Sequence, residues 1–210
     1  TENIQQEVTT QNVIALLPGS DAVLKDEYIV VGAHYDHLGW GGKGSGSRRP
    51  DTSAVHNGAD DNASGVAAVL EIAERLALGK STPKRSILFM AFGAEEMGLL
   101  GSKFFTSNPL IDKTQIKQMF NLDMVGRLNP MKPSLTVGGT GTGLGVEEFL
   151  RDHAIGREFQ LSTTPDGYGP SDHAAFYVED IPVLFFFTGI TEEYHTPADD
   201  IETINISGEK

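Results

Sequence analysis

The segment GAHYDHLG, Gly32 to Gly39, places His34, Asp36 and His37 almost side by side. Imidazoles next to a carboxylate are metal-binding groups. Further segments supply the same chemistry: HNGADDNASG (His56 to Gly65), GAEEMG (Gly93 to Gly98), Asp123 in MFNLDMV, and EEYHTPADD (Glu192 to Asp200). Each has an ordinary explanation alone: a strand-end histidine, an exposed acidic turn, a satisfied buried carboxylate. Together they point elsewhere, because crowding buried carboxylates without cations costs on the order of several kcal/mol each. A shared metal site is the simplest account. The chain has no cysteine, which excludes disulfides, thiolate zinc sites and cysteine nucleophiles. Any metal must rest on His, Asp and Glu.

These groups sit where secondary structure would present them. Apolar runs rich in β-branched and aromatic residues occur at NVIALL (Asn12 to Leu17), EYIVVGA (Glu27 to Ala33), RSILFMAF (Arg85 to Phe92), MFNLDMV (Met119 to Val125) and PVLFFF (Pro182 to Phe187). They read as strands, several buried on both faces. Between the second and third, SGVAAVLEIAERLALG sets Val66, Val69, Leu70, Ala73 and Leu76 on one face and Glu71, Glu74 and Arg75 on the other, an amphipathic helix ended by Gly79. Further helical patterns lie at Met97 to Phe105, Gly145 to His153 and around Ala174 to Val178. Alternating strands and helices imply an α/β sheet covered on both faces. In such sheets the site lies beyond the carboxyl ends of the strands, where the polar segments fall.

GAHYDHLG, GADDNASG, FGAEEMGLLGS, NLDMVGR and YHTPADD resemble, in order and approximate spacing, the two-zinc aminopeptidase family that includes secreted bacterial leucine aminopeptidases and, more remotely, plasma glutamate carboxypeptidase and glutaminyl cyclase. The resemblance spans nearly the whole chain. It implies a single catalytic domain over residues 1–210 with a mixed, mostly parallel sheet, the zinc exopeptidase or phosphorylase/hydrolase-like fold. It implies two Zn²⁺, with Co²⁺ or Mn²⁺ as substitutes: His34 and Asp123 on one, Glu96 and His195 on the other, and Asp61 bridging, with a cis Asp61–Asn62 peptide bond. It assigns Asp36 to orienting His34, Glu95 to the general base, and a tyrosine to the oxyanion, Tyr194 preferred over Tyr168. The implied substrate is a peptide with a free N-terminus, and the location secreted or periplasmic. Family members usually continue past ISGEK into a closing helix, so a trimmed or minimal domain is expected.

The residue types agree with zinc chemistry. One imidazole plus carboxylates per ion suits a catalytic zinc, whereas an all-oxygen shell would suit Mg²⁺ or Ca²⁺. Rival readings fit less of the chain. The HxHxDH signature of the metallo-β-lactamases needs a histidine where Gly32 stands, and a serine hydrolase would need GxSxG. The glycine cluster GGTGTGLG (Gly138 to Gly145) is out of GxGxxG register and reads as a turn into a helix. GGKGSGSRRP (Gly41 to Pro50) reads as a mobile loop bordering the cleft. SDH (Ser171 to His173) is open between a pocket element and a helix start capped by Ser171 or Asp172. An inactive binding domain of this fold would have lost its ligands, and all are present. A carboxypeptidase would need arginines aimed at a terminal carboxylate, and Arg127 alone reads as structural. With 16 basic against 29 acidic residues, a nucleic-acid or anionic-membrane surface is excluded. No apolar run approaches the ~20 residues of a membrane span.

Overall fold

The computed structural model describes residues 9–155, 157 and 159–209. Strands β1 (Val13–Leu17), β2 (Tyr28–His34), β3 (Ser86–Phe92), β4 (Ile116–Leu122), β5 (Ser134–Gly138), β6 (Gln160–Thr163) and β7 (Val183–Phe187) form one sheet in the order β1-β3-β2-β4-β7-β5-β6. The four central strands, β3, β2, β4 and β7, run parallel. β1 is antiparallel to β3 and β5 to β7, and β6 runs parallel to β5. The sheet is therefore mixed and mostly parallel, as expected.

Alternation along a strand sends successive side chains to opposite faces. On β2, Val30 joins Leu88, Met90, Phe92, Met119 and Val183 under α2 (Leu100–Ser107) and α4 (His173–Tyr177), which contribute Phe105 and Phe176. Its neighbour Val31 joins Ile87, Phe89 and Leu122 under α1 (Gly65–Ala77). The two cores explain why these strands are continuous apolar runs. On α1 the inward stripe is Val66, Val69, Ile72, Ala73 and Leu76, and Leu70 is exposed, contrary to expectation. The stripe centres nearer Ile72, and one residue step of about 100° carries Leu70 out of it.

Three other expectations are corrected. The fourth strand ends at Leu122, so Asp123 is the first residue past the strand rather than inside it. The helix expected from Met97 begins at Leu100, because Glu95 to Leu99 form a tight turn in which Gly98 and Leu99 donate to the Glu95 carbonyl. Strands β5 and β6 were not anticipated, being short and partly polar at the far edge. A further helix, α3 (Val146–Ala154), follows the GGTGTGLG turn as read. No described helix is long and apolar enough to cross a membrane.

The topology fixes where chemistry can occur. From β2 the chain passes through α1 to β3 on one side, then through α2 to β4 on the other, so the direction of winding reverses around β2. A crevice opens at the carboxyl end of such a switch point, and β2 ends there on His34. Two positions earlier, Gly32 is buried, and a Cβ on it would lie 2.6 Å from the Phe92 ring. Phe92 is fully buried and packs edge-on against Phe176 at 5.9 Å, so the space is closed to a histidine as well as to smaller side chains. Gly32→Ala should lower the unfolding free energy by about 1–3 kcal/mol through overpacking. The measurement is a lower denaturant midpoint at unchanged slope; an unchanged midpoint would show that the Phe92 ring yields freely.

Candidate metal centre

Each candidate side chain leaves the carboxyl edge of a central strand or the loop beside it. His34 closes β2, Glu95 and Glu96 follow β3, and Asp123 follows β4. Asp61 lies on the turn leading into α1, and His195 on the loop after β7. The five segments converge on one cluster of side chains.

Asp61 is at the centre. Its Oδ1 lies 3.2 Å from Nε2 of His34, and its Oδ2 lies 3.1 Å from Nε2 of His195. Asp123 Oδ1 completes the His34 side at 3.6 Å, and Glu96 Oε2 completes the His195 side at 3.3 Å. Glu95 also falls within reach of His34 and Asp123. The two carboxylate oxygens of one residue thus face two separate donor sets. The Asp61–Asn62 peptide bond is cis, as the resemblance implies.

Charge balance shows what these sets lack. No lysine or arginine among the described residues pairs with Asp61, Glu95, Glu96 or Asp123. Only imidazoles face them. Burial pulls His34 down, yet the carboxylates of Asp123 and Asp61, as acceptors for its ring N–H, raise it well above its usual value. Burial likewise raises Asp61, but His195 and His34 on its two oxygens bring it below the ordinary carboxylate range. His34 is thus drawn toward its cationic form and Asp61 toward its anionic form, the behaviour of an acidic site that fits cations. Imidazole and carboxylate donors in these two groups suit zinc.

The backbone around the cluster is held tightly. Ala94, Met124 and His195 itself are non-glycine residues with φ of 56°, 53° and 56°, left-handed conformations that cost about 1–3 kcal/mol each and gather at functional sites. Asn62 clamps two turns: its amide donates to the Leu122 carbonyl at 2.9 Å, and its Oδ1 accepts from Gly65 and Met124 at 3.0 and 3.1 Å. Asp199 accepts from the backbone N–H of Asp60 and, at 3.0 Å, of Asp61.

Asp36 takes different partners from those anticipated. Its carboxylate stands 3.9 Å from Nδ1 of His34, beyond hydrogen-bond reach, while its main-chain oxygen accepts from that nitrogen at 3.1 Å. The carboxylate instead accepts from the backbone N–H groups of Glu95 and Glu96 at 2.9 and 3.2 Å. One residue therefore aligns both strand ends, His34 through its backbone and the Glu95-Glu96 turn through its side chain.

The glycine-rich loop after Trp40 does not stand clear of the site. The Gly46 carbonyl accepts from Nδ1 of His195 at 3.1 Å, Arg48 N–H donates to the His195 carbonyl at 2.9 Å, and Ser47 bonds His56 at 2.7 Å. The loop is a strap over His195. Tyr194 stacks on the His195 ring at 3.8 Å, and burial, then Asp61 and Glu96, push its hydroxyl up to about 12. Tyr168 is exposed, edge-on to Tyr177 at 4.8 Å. Ser171, Asp172 and His173 are all buried, and neither Ser171 nor Asp172 caps α4 through its side chain. Burial pushes Asp172 up to about 7 and His173 down to about 4, and the His173 ring stacks on Phe185 at 4.4 Å.

Arg127 is structural, as read. Its side chain is 8% exposed and donates to Glu193 at 2.6 Å and Asp199 at 2.8 Å, with Asp60 at 3.7 Å. Asp60 is raised to about 6 by burial, with the Gly126 N–H and Ser64 opposing. Asp60, Asp199 and His37 have contacts that motif spacing did not assign. His37 lies 2.7 Å from Glu96.

A model of peptidase family M28 matches residues 12–209. Leupeptin-inactivating enzyme 1 of Streptomyces exfoliatus is 32% identical over 182 residues, 86% of this chain and 36% of that protein. Aminopeptidase YwaD of Bacillus subtilis is 34% identical over 208 residues, 94% of this chain and 41% of that protein. The solved structure of a zinc aminopeptidase from Bacillus subtilis matches with a TM-score of 0.72 at 31% identity, covering 94% of this chain and 47% of that one. Porphyromonas gingivalis glutaminyl cyclase, at 21% identity, shares the fold, with a TM-score of 0.75 over 94% of this chain and 72% of its own. The chain spans less than half the length of these two curated relatives.

Removing the Arg127 cation would leave Asp199 and Asp60 buried without a counter-charge. Arg127→Met should therefore destabilise the fold by about 3–5 kcal/mol, read by chemical denaturation. A loss below about 1 kcal/mol would contradict a buried network and place Arg127 among solvated surface pairs.

Proposed function

Since this chain belongs to peptidase family M28, we propose that it is a zinc-dependent aminopeptidase that removes the N-terminal residue of peptides at a two-metal centre. The observation that carries this reading is Asp61, whose two oxygens face His34 with Asp123 on one side and His195 with Glu96 on the other. His34, Asp61 and Asp123 would hold one zinc, and Asp61, Glu96 and His195 the other. Bound zinc would supply Lewis acidity for the scissile carbonyl and lower the pKa of a water toward ~7.

Glu95 is the general base in this reading. Burial pushes its carboxyl up to about 8, with His34 opposing and Asp123, Asp172 and Glu96 adding to the rise. Cations at Asp123 and Glu96 would bring it down toward neutral pH, the range that suits a base taking a proton from water and returning it to the leaving amine. Asp36, by fixing the Glu95 and Glu96 amides, keeps the base and its neighbour pointing to different tasks. Tyr194 remains protonated over the working range and serves as an O–H donor to the developing oxyanion.

The substrate end follows from charge. Glu95 and Asp123 offer carboxylates to a free α-ammonium, while Arg127, the cation a carboxypeptidase would aim at its substrate, is engaged by Glu193 and Asp199. Aminoacyl amides should be cleaved, their N-acetylated forms should not, and chelator should abolish turnover. Equal cleavage of the acetylated forms would remove the free-amine requirement. Glu95→Gln should keep its zinc and lose about 10²–10⁴-fold in kcat. A base works deprotonated, so kcat/KM should rise with pH through the Glu95 ionisation and that acid limb should vanish in the variant; a retained limb would assign it to another group.

A further inference from the structure

The donor sets drawn above do not use His37, yet it stands beside one of them, grouped with Asp61 and Glu96 and with its Nδ1 3.9 Å from Oδ2 of Asp61. Its side chain is 9% exposed, and its Nδ1 lies 2.7 Å from Oε1 of Glu96. The other oxygen of Glu96, Oε2, faces His195 at 3.3 Å. The two separations differ in kind. The shorter is a direct hydrogen bond; the longer matches the roughly 3.3 Å edge of a tetrahedral zinc shell.

The direction of the shorter bond is fixed by what surrounds the ring. Nε2 of His37 is buried without a hydrogen-bond partner among the described residues. A proton there would be a buried donor left unpaired, with two acceptors facing each other at the Glu96 contact, and each fault costs about 1–3 kcal/mol. A proton on Nδ1 removes both. The ring also has a slot made for it. Gly58 has a φ of +63°, and a Cβ there would lie 2.7 Å from Cγ of His37. His195 stands edge-on at 5.8 Å and His56 at 6.4 Å, walling the ring on its other sides.

We propose that His37 is a positioning residue for Glu96: its Nδ1–H holds Oε1, so that Oε2 alone is directed at the metal position shared with Asp61 and His195. The proposal rests on the two-metal reading above. It gives Glu96 a single defined lone-pair direction in place of a carboxylate free to swing between two oxygens. Partners of this kind typically govern metal affinity by 10–100-fold.

The test compares three substitutions by titrating zinc into the metal-free chain against a chromophoric chelator. Asparagine carries its amide nitrogen on Cγ, as histidine carries Nδ1; glutamine carries the same group one carbon further out. His37→Ala and His37→Gln should each lose about 10–100-fold in affinity for one of two zinc ions, with the other held as in the parent chain. His37→Asn should stay close to the parent. If His37→Ala does not fold, the contrast between Asn and Gln decides. Parent-like affinity for both ions in the Ala and Gln variants would overturn the role of His37, as would equal losses in Asn and Gln. A parent chain that takes up a single ion contradicts the two-metal reading instead, and the variant contrast is then read on that ion. Uptake of no ion contradicts both.

Discussion

The structure depends on one carboxylate being held with its two oxygens facing opposite ways. Asp61 has His34 on one oxygen at 3.2 Å and His195 on the other at 3.1 Å. Asn62 ties the Asp61 turn to the end of β4, and Asp199 takes the amide of Asp61 itself. Arg127 then neutralises Asp199 from behind. The cation that stabilises the carboxylates holding the turn is thereby kept away from those that would bind metal. This separation leaves the front of the cluster acidic and short of positive charge.

The sheet explains why so many distant segments meet there. Parallel strands end on the same edge, and the reversal of winding around β2 opens a crevice at that edge rather than covering it with a connection. The loops that fill the crevice are locally unfavourable, with left-handed backbone at Ala94, Met124 and His195. They are sustained by the rest of the fold: two apolar cores, one on each face of the sheet, and the loop from Gly41 to Ser53 strapped across His195. Rigidity around the site comes from hydrogen bonds to backbone groups, which a motif does not reveal.

What was legible in the sequence follows the same division. Strands β2, β3, β4 and β7 announce themselves because burial on two faces demands continuous apolar runs, β1 by its apolar composition although it is partly exposed, and the main helix by its amphipathic spacing; His34, Glu95, Glu96 and Asp123 closely follow those runs. Strands β5 and β6 are partly exposed and carry residues such as Ser134, Thr136, Gln160 and Ser162, so no buried pattern marks them. The donor residues were readable as types in order, whereas their supports were not. Asp36 bonds His34 through its carbonyl and Glu95 through its carboxylate, a division that depends on strand-end geometry. His37, three residues from His34, reaches Glu96 only because Gly58 leaves room for its ring. The glycines after Trp40 read as mobility by composition, yet their carbonyls and turns are what hold His195.

Zinc-edge anomalous diffraction from crystals grown with zinc tests the central relation most directly. Two peaks should appear, one contacted by His34 and Asp123 and the other by Glu96 and His195, each on a different oxygen of Asp61. A single peak, or two peaks on one Asp61 oxygen, would contradict a bridging carboxylate.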